Sequence, residues 1–215
     1  YTMVGEPVGQ FYGYKVIGMF KEESDFYKKD ADGNFQLDEA GNRIRIAIPK
    51  GQQISKNGIW VGDYIYEDLH EDGVIDEKDR TFLGNPAPKF TFGFNNYFAY
   101  KGFDLNIFLN GSVGNKAVNL IRRTFTDPMR NSNLLKEATD IALIGMHDPE
   151  VGDEELSNVY IVNADRAKVQ RVTTSSANDN NRISSRFIED ASYLRVKNIS
   201  LGYTLPKNLT QKLSI

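Results

Sequence analysis

The stretch KFTFGFNNYFAYKGFDLNIFLNGSVGN, residues 89–115, restricts the fold more than any other part of the chain. Phe90, Phe92, Phe94, Phe98 and Tyr100 share one parity, interrupted only by Asn96, while Thr91, Gly93, Asn95 and Ala99 fall on the other. A period of two sends alternate side chains to opposite faces of a strand, so this segment predicts a strand of about 11 residues with one apolar face. Lys101-Gly102 then suits a two-residue hairpin turn, with glycine supplying a positive φ. Beyond it Phe103, Leu105, Ile107 and Leu109 alternate with Asp104, Asn106 and Asn110. A long antiparallel hairpin follows.

A hairpin of this kind fits two settings. A membrane-spanning strand needs about 9–11 residues, a lipid-facing apolar row and a polar inner face. An ordinary sandwich hairpin meets the same pattern. Asn95, Asp104, Asn106 and Asn110 suit a wet lumen better than a dry sandwich core, although an exposed sheet face also accepts them. The pattern alone leaves both open.

Composition narrows the classes. Aromatic residues make up 12% of the chain, with 13 Phe and 11 Tyr against one Trp, which favours strands. The net charge of -3 comes with no basic cluster, which argues against a nucleic-acid partner. Without cysteine there is no disulfide, thiolate metal site or cysteine nucleophile. No apolar run reaches the roughly 18 residues of a membrane helix, so any crossing of a bilayer has to use strands.

Other strands are legible with less contrast. In YLRVKNISLGYTLP, Ile199, Leu201, Tyr203 and Leu205 share a parity that Leu194 and Val196 do not, which a bulge near Lys197-Asn198 reconciles. FYGYKVIGMF reads as one strand of mixed parity, Ile44 to Ile48 as a short alternation, and GIWVGDYIYEDL as a strand leading into an acidic loop. Residues 115–185 do not alternate. Within them Leu134, Leu135, Ala138, Ile141, Ala142 and Gly145 follow helical spacing behind Asn131 or Ser132 as cap, predicting one short helix; the remainder, including TTSSANDNNR, is expected as loop. A long insertion beside a two-residue turn is the asymmetry of outer-membrane barrels. On that reading Lys101-Gly102 is periplasmic, and residues 115–185 form a long extracellular loop. The opening YTMVGEPVG carries no signal pattern and LPKNLTQKLSI stops after a turn-like Pro-Lys-Asn, so the chain is expected to be an internal piece of a longer protein.

The acidic loop is DLHEDGVIDEKD. Asp68, His70, Asp72, the Val74 carbonyl, Asp76 and Asp79 take the ligand positions of an EF-hand-like loop, with Gly73 at the sharp turn and Ile75 as the apolar position. Hard oxygen ligands at this spacing wrap Ca²⁺, in a structural role. His70 offers nitrogen where oxygen is usual, and Asp79 is shorter than the customary Glu. The competing reading is an Asp-Gly turn with solvated acids. KKDADGNFQLDEAGNR does not repeat the pattern, because Lys28 falls at the first ligand position, and its Asp-Gly and Ala-Gly-Asn read as turns.

Catalysis finds no support. His147 has no serine nucleophile motif beside it, and Asp153 and Glu154 sit in PEVGDEELSN, which reads as a solvated loop. The chain is therefore not expected to be an enzyme. Tyr12, Tyr14, Trp60, Tyr64 and Tyr66 can stack on sugars or meet a partner protein, and strand packing is the plainer role for most of them.

Three blocks carry a resemblance: residues 4–20, VGEPVGQFYGYKVIGMF; residues 62–116, from GDYIYEDLHEDGVIDEKDRTFLGNPAPKF through the hairpin; and residues 184–209, SSRFIEDASYLRVKNISLGYTLPKNL. In this order they resemble the C-terminal part of SusC/RagA-type TonB-dependent outer-membrane transporters of Bacteroidetes. The resemblance implies an all-β fold of antiparallel strands forming part of a transmembrane β-barrel of about 22 strands. It also implies an N-terminal plug, energy from the TonB complex, a SusD-like surface lipoprotein as lid, and import of a glycan or peptide across outer-membrane lipid. Residues 1–215 would be a C-terminal barrel part lacking plug, TonB box and final strands, with about six strands of its own. The alternative from another class is a soluble, calcium-stabilised β-rich binding module of a cell-surface protein, which would stay monodisperse without detergent.

Overall fold

The computed structural model describes residues 2–5 and 7–212. In chain order its strands are β1 (Phe11–Tyr14), β2 (Val16–Met19), β3 (Ile48–Pro49), β4 (Tyr64–Tyr66), β5 (Val74–Ile75), β6 (Arg80–Gly84), β7 (Phe90–Tyr100), β8 (Phe103–Val113), β9 (Lys116–Val118), β10 (Ile144–Met146), β11 (Val159–Ile161), β12 (Ile188–Asp190) and β13 (Tyr193–Tyr203). Two short α-helices, α1 (Leu120–Phe125) and α2 (Lys207–Lys212), complete the regular elements apart from 3-10 turns.

Three strands of 11 residues each, β7, β8 and β13, form one antiparallel sheet with β8 in the centre. The alternation in the sequence sets their register. Phe94 faces Leu109 and Phe98 faces Leu105 across β7 and β8, while Ile199 faces Ile107 and Leu201 faces Leu105 across β8 and β13. One face is thus an apolar row broken by Asn96, opposite Ile107, and most of its large side chains project into open space: Phe94 is 54% and Leu201 71% exposed. The other face carries Asn95, Asp104, Asn106, Asn110, Arg195 and Ser200, with Tyr97 and Phe108 among them. The expected bulge is present, a register shift between Val196 and Asn198 that lets Leu194 and Val196 join the apolar row. Lys101 and Gly102 close the hairpin with φ of 47° and 88°, the paired positive values of a tight β-hairpin turn. Gly111 lets the Phe92 ring lie flat across the strand, since a Cβ there would stand 2.5 Å from that ring.

This sheet, the wall, is open, with β7 and β13 as its outer strands. Among the described residues three strands have spanning length, not about six; the others run for two to five residues and belong to a head.

The head sits at the end of the wall opposite the Lys101-Gly102 turn. There β6, β9 and β12 extend the lines of β7, β8 and β13: Ile188 pairs with Val118, and the Lys116 amide donates to the Asn85 carbonyl at 2.8 Å. FYGYKVIGMF is two strands with different partners, which explains its mixed parity. β1 pairs with β6, and β2 pairs with β4. Behind them lies a core of Phe20, Phe26, Ile59, Trp60, Val61, Tyr64, Tyr66, Val159 and Ile161, all buried, with the Phe20 and Phe26 rings stacked at 4.0 Å. Each fully buried large apolar side chain of this core contributes about 1.5–3 kcal/mol to holding the head together.

The expected helix over residues 131–146 is absent. Lys136–Asp140 is a 3-10 turn, Leu134 and Leu135 are exposed, and Ile144–Met146 is β10, paired with β11. Helical spacing over so few residues did not outweigh strand pairing in the head. The α-helix of this region is α1, whose first turn is capped by Asn119 Oδ1 accepting from the Arg122 amide. TTSSANDNNR is loop as expected, and Asn178 and Asn180 within it are buried inside the head. Ile44 to Ile48 does not form the expected strand; Arg43 and Arg45 make isolated bridges to Leu37 and Tyr27, and only Ile48 enters β3. Pro-Lys-Asn near the end opens α2 instead of a turn.

Residues 27–46 build a small finger that the sequence hid among its turns. Asp30 and Asp38, eight positions apart, make the same loop: each accepts from the second and fourth following amides through Oδ1, and from the side-chain amide of Asn34 or Asn42 through Oδ2. Arg43 lies over the Phe35 ring at 4.1 Å and over Tyr27 at 5.7 Å, bracing the flanks.

Candidate functional site

In the acidic loop the carboxylates serve the backbone. Asp79 is buried, and its Oδ1 accepts from Leu69 (3.0 Å) while its Oδ2 accepts from Asp76 (2.8 Å) in a capping box. Asp68 Oδ2 accepts from Gly73, whose φ of 81° makes the sharp turn; Asp72 Oδ1 accepts from Val74, and Asp76 Oδ1 from Lys78. His70 is half exposed, its Nδ1 3.7 Å from Asp79 Oδ1. Val74 begins β5, which pairs in parallel with β3.

Calcium would need the remaining oxygens. Asp68 Oδ1 is buried and has no hydrogen-bond partner among the described residues. Asp72 Oδ2 faces the Lys78 ammonium at 3.8 Å, and no group of three or more metal-capable side chains is gathered among the described residues. The donor chemistry suits a hard cation, whereas the geometry is that of a capped turn.

The candidate catalytic groups do not converge. The His147 ring stacks on Tyr160 at 4.6 Å, and Asp153 pairs with Lys56 at 2.7 Å on the surface. PEVGDEELSN is largely exposed as expected, but Asn158 is buried and organises it, donating to the Asp148 and Gly152 carbonyls. Trp60, Tyr64 and Tyr66 are core residues. Burial raises both tyrosine phenols far above their ordinary range; Tyr64 Oη donates to the Lys168 carbonyl and Tyr66 Oη to that of Asp179.

Sequence reasoning missed a polar cavity of about 420 Å³ on the head. Its walls come from four separate segments: Tyr12 and Tyr14 on β1, Arg80 at the start of β6, Arg123 on α1, and Asp179 with Arg182 before β12. Three guanidinium groups face one carboxylate there. Each arginine is held by part of its fork only. Arg182 donates to the Asn178 carbonyl at 2.8 Å and lies 4.7 Å from the centres of both the Tyr14 and Tyr66 rings. Arg123 Nε donates to the Asn181 carbonyl at 2.8 Å, and Arg80 Nε to Tyr14 Oη at 3.3 Å, a hydrogen bond that holds the Arg80 group above its ordinary pKa against the opposing effect of burial. No spacing in the sequence announces such a site, because its residues lie up to 170 positions apart (Tyr12 to Arg182).

No family model matches the chain. TonB-dependent receptor P3 of Formosa agariphila is 29% identical over 208 residues, covering 97% of this chain and 16% of that protein. TonB-dependent receptor P26 of the same organism is 29% identical over 95% of the chain, and P39 is 25% identical over 97%. The chain therefore spans only 16% to 20% of the length of these curated relatives. Among solved structures, the RagAB peptide importer in its closed-closed state matches with a TM-score of 0.46 and 17% identity, over 98% of this chain and 19% of that one. Along nearly its whole length the chain is similar to TonB-dependent receptors, outer-membrane proteins of Gram-negative bacteria.

Proposed function

We propose that the chain is a barrel segment of a SusC/RagA-type nutrient importer, taking up an oligosaccharide or peptide with a SusD-like lipoprotein and powered by the TonB complex through parts of the protein outside this chain. The observation that carries this reading is the apolar row shared by β7, β8 and β13, opposed by a polar face at strand lengths that span a bilayer. A sandwich would bury that row. On the polar face, Asn106 and Asn110 each have a buried side-chain oxygen without a partner among the described residues, a need that a wet lumen meets and a dry core does not. This favours the barrel over a soluble binding module.

The head, including residues 115–185, is assigned to the extracellular side, with Lys101-Gly102 periplasmic. Calcium is proposed to draw Asp68, Asp72 and Asp76 together and stiffen the approach to β6, with no chemistry of its own. Growth of the source bacterium on oligosaccharides or peptides as sole nutrient, with and without the full-length gene, tests import. An epitope tag after Gly33, at the open tip of the finger, tests orientation. Labelling of intact cells supports the assignment, and labelling only after permeabilisation overturns it.

A further inference from the structure

From the cavity on the head we infer that the imported ligand is an acidic glycan, one carrying carboxylate or sulfate groups, and that Arg80 and Arg123 bind those groups. The inference rests on the importer reading and specifies its substrate class. Three guanidinium groups around about 420 Å³ repel one another, and Asp179 offsets only one of them, its Oδ2 standing 3.8 Å from Arg182 Nε. Backbone carbonyls and a phenol hold one side of each fork. The Arg123 Nη groups have no hydrogen-bond partner among the described residues, and Arg80 Nη2 reaches only the highly exposed Glu77 at 3.5 Å. A planar fork held by its Nε and free at its Nη atoms is prepared for an oxyanion, and arginine matches carboxylate and sulfate better than lysine does.

The same surroundings favour a sugar over an acidic peptide. An extended peptide gains affinity by adding to a free sheet edge. Here β1 has no free edge beside the cavity: β6 pairs along one side, and on the other the Tyr14 amide donates to the Ile183 carbonyl while the Val16 amide donates to Ser185 Oγ. The walls are mostly polar groups, and the exposed Asp179 carboxylate can accept sugar hydroxyls. Tyr14 does not offer an open ring, since Arg182 and Arg80 already lie over it at 4.7 and 5.4 Å. The site therefore recognises charge and hydroxyl pattern, not a stacked apolar face.

The test uses the full-length receptor in detergent. Binding of a uronic-acid tetrasaccharide, a sulfated tetrasaccharide, a neutral tetrasaccharide and an acidic tetrapeptide is measured by calorimetry for wild type, Arg80→Gln, Arg123→Gln and Arg123→Lys. The expected result is preference for one or both acidic glycans over the neutral one by about tenfold or more, weakening with salt, with about tenfold lost in each Gln variant and part of it restored by Lys. Which acidic glycan binds distinguishes carboxylate from sulfate. Equal binding of acidic and neutral glycans, acidic binding unchanged in both Gln variants, or binding of the peptide alone overturns the inference. A growth assay separates the two levels: undiminished growth on an acidic glycan of a strain carrying both Gln substitutions keeps the importer reading and removes this one, whereas loss of the whole gene without effect on any nutrient removes the importer reading itself.

Discussion

Asp63 and Arg171, separated by 108 positions, meet side-on inside the head, with Nε 3.0 Å from Oδ1 and Nη2 3.1 Å from Oδ2. Both side chains are almost fully buried. Asp63 also accepts from the Trp60 amide and the Asn180 side chain, and Arg171 donates to the Lys56 and Gly58 carbonyls, so the pair ties residues 56–63 to residues 171–180. Removing one partner leaves a buried charge unmatched. Asp63→Ala is expected to destabilise the head by about 3–5 kcal/mol, and Arg171→Met with Asp63→Leu to cost less than Asp63→Ala alone. Thermal unfolding of the purified receptor, followed at the head by hydrogen exchange, checks both. A double variant less stable than the single one would show that the charges hold more than each other.

This pair also shows where sequence reading ended. Alternation fixes faces, so the wall was legible: Phe90 to Tyr100, the Lys101-Gly102 turn and the bulge near Lys197-Asn198 all follow from a period of two. The head has no such period. Its strands run for two to five residues with different partners on successive stretches, as when FYGY pairs with β6 and VIGM with β4, and local pattern cannot report partners distant in sequence. The acidic loop was legible as a turn because Gly73 and the spacing of its acids are local. Arg80, Arg123 and Arg182 became a site only once three separate segments had packed.

Gly13 is where the segment before β12 presses on β1. A Cβ built there would stand 2.4 Å from the Ile183 carbonyl oxygen, a backbone atom that cannot swing aside. Gly13→Ala is therefore expected to part the Tyr14 amide from that carbonyl and open the arginine cavity, at a cost of about 1–3 kcal/mol. The amide of Tyr14 should lose hydrogen-exchange protection while the β7–β8 hairpin keeps its own. Unchanged protection at Tyr14 would mean that β1 can shift without cost.

The finger should be the first part of the head to loosen in acid. The Asn34 amide, foremost among several donors, holds the Asp30 carboxyl below its ordinary value, and the Asn42 amide does the same for Asp38. A carboxyl depressed in the folded state stabilises the fold above its unfolded pKa, and that contribution is lost as pH falls through the folded value. Both groups are solvent-exposed, so the effect is local. As the pH falls below about 4, amide protection at Asp32, Asn34, Ala40 and Asn42 is expected to fall ahead of that in the core around Phe20. Simultaneous loss in finger and core would contradict it.

Calcium binding at the acidic loop predicts a different response at Asp72 than at Asp79. Asp72→Ala removes a proposed ligand and one Asx-type hydrogen bond to Val74, so affinity should drop while the loop keeps its capping box. Asp79→Ala empties a buried position that holds three backbone amides, so the loop should come apart even without calcium. Calorimetry at about millimolar calcium on the intact receptor, with hydrogen exchange of Leu69 and Asp76, distinguishes them. Absence of any calcium-dependent heat or protection in the wild type would leave the loop a capped turn and nothing more.

The assignment of the wall to a membrane rests on adjacent residues whose side chains point to opposite faces. Phe94 belongs to the apolar row opposite Leu109; Asn95 lies on the polar face opposite Phe108. Both are near the middle of an 11-residue strand, so both would lie near the bilayer midplane. Arginine in place of Phe94 has to be buried in lipid at about 2–4 kcal/mol and should block assembly, while Asn95→Arg places the same charge toward water and should assemble. Cross-strand packing argues the same way, since Phe94 contributes to the row continued by Leu109 and Val196, whereas Asn95 faces the proposed lumen. Heat-modifiable mobility of the full-length receptor extracted from outer membranes reads assembly directly. If the two variants assemble equally well, the apolar row does not face lipid and the barrel reading of this sheet fails; if only Phe94→Arg is lost, a solvent-exposed sheet is excluded, because there arginine is tolerated on either face.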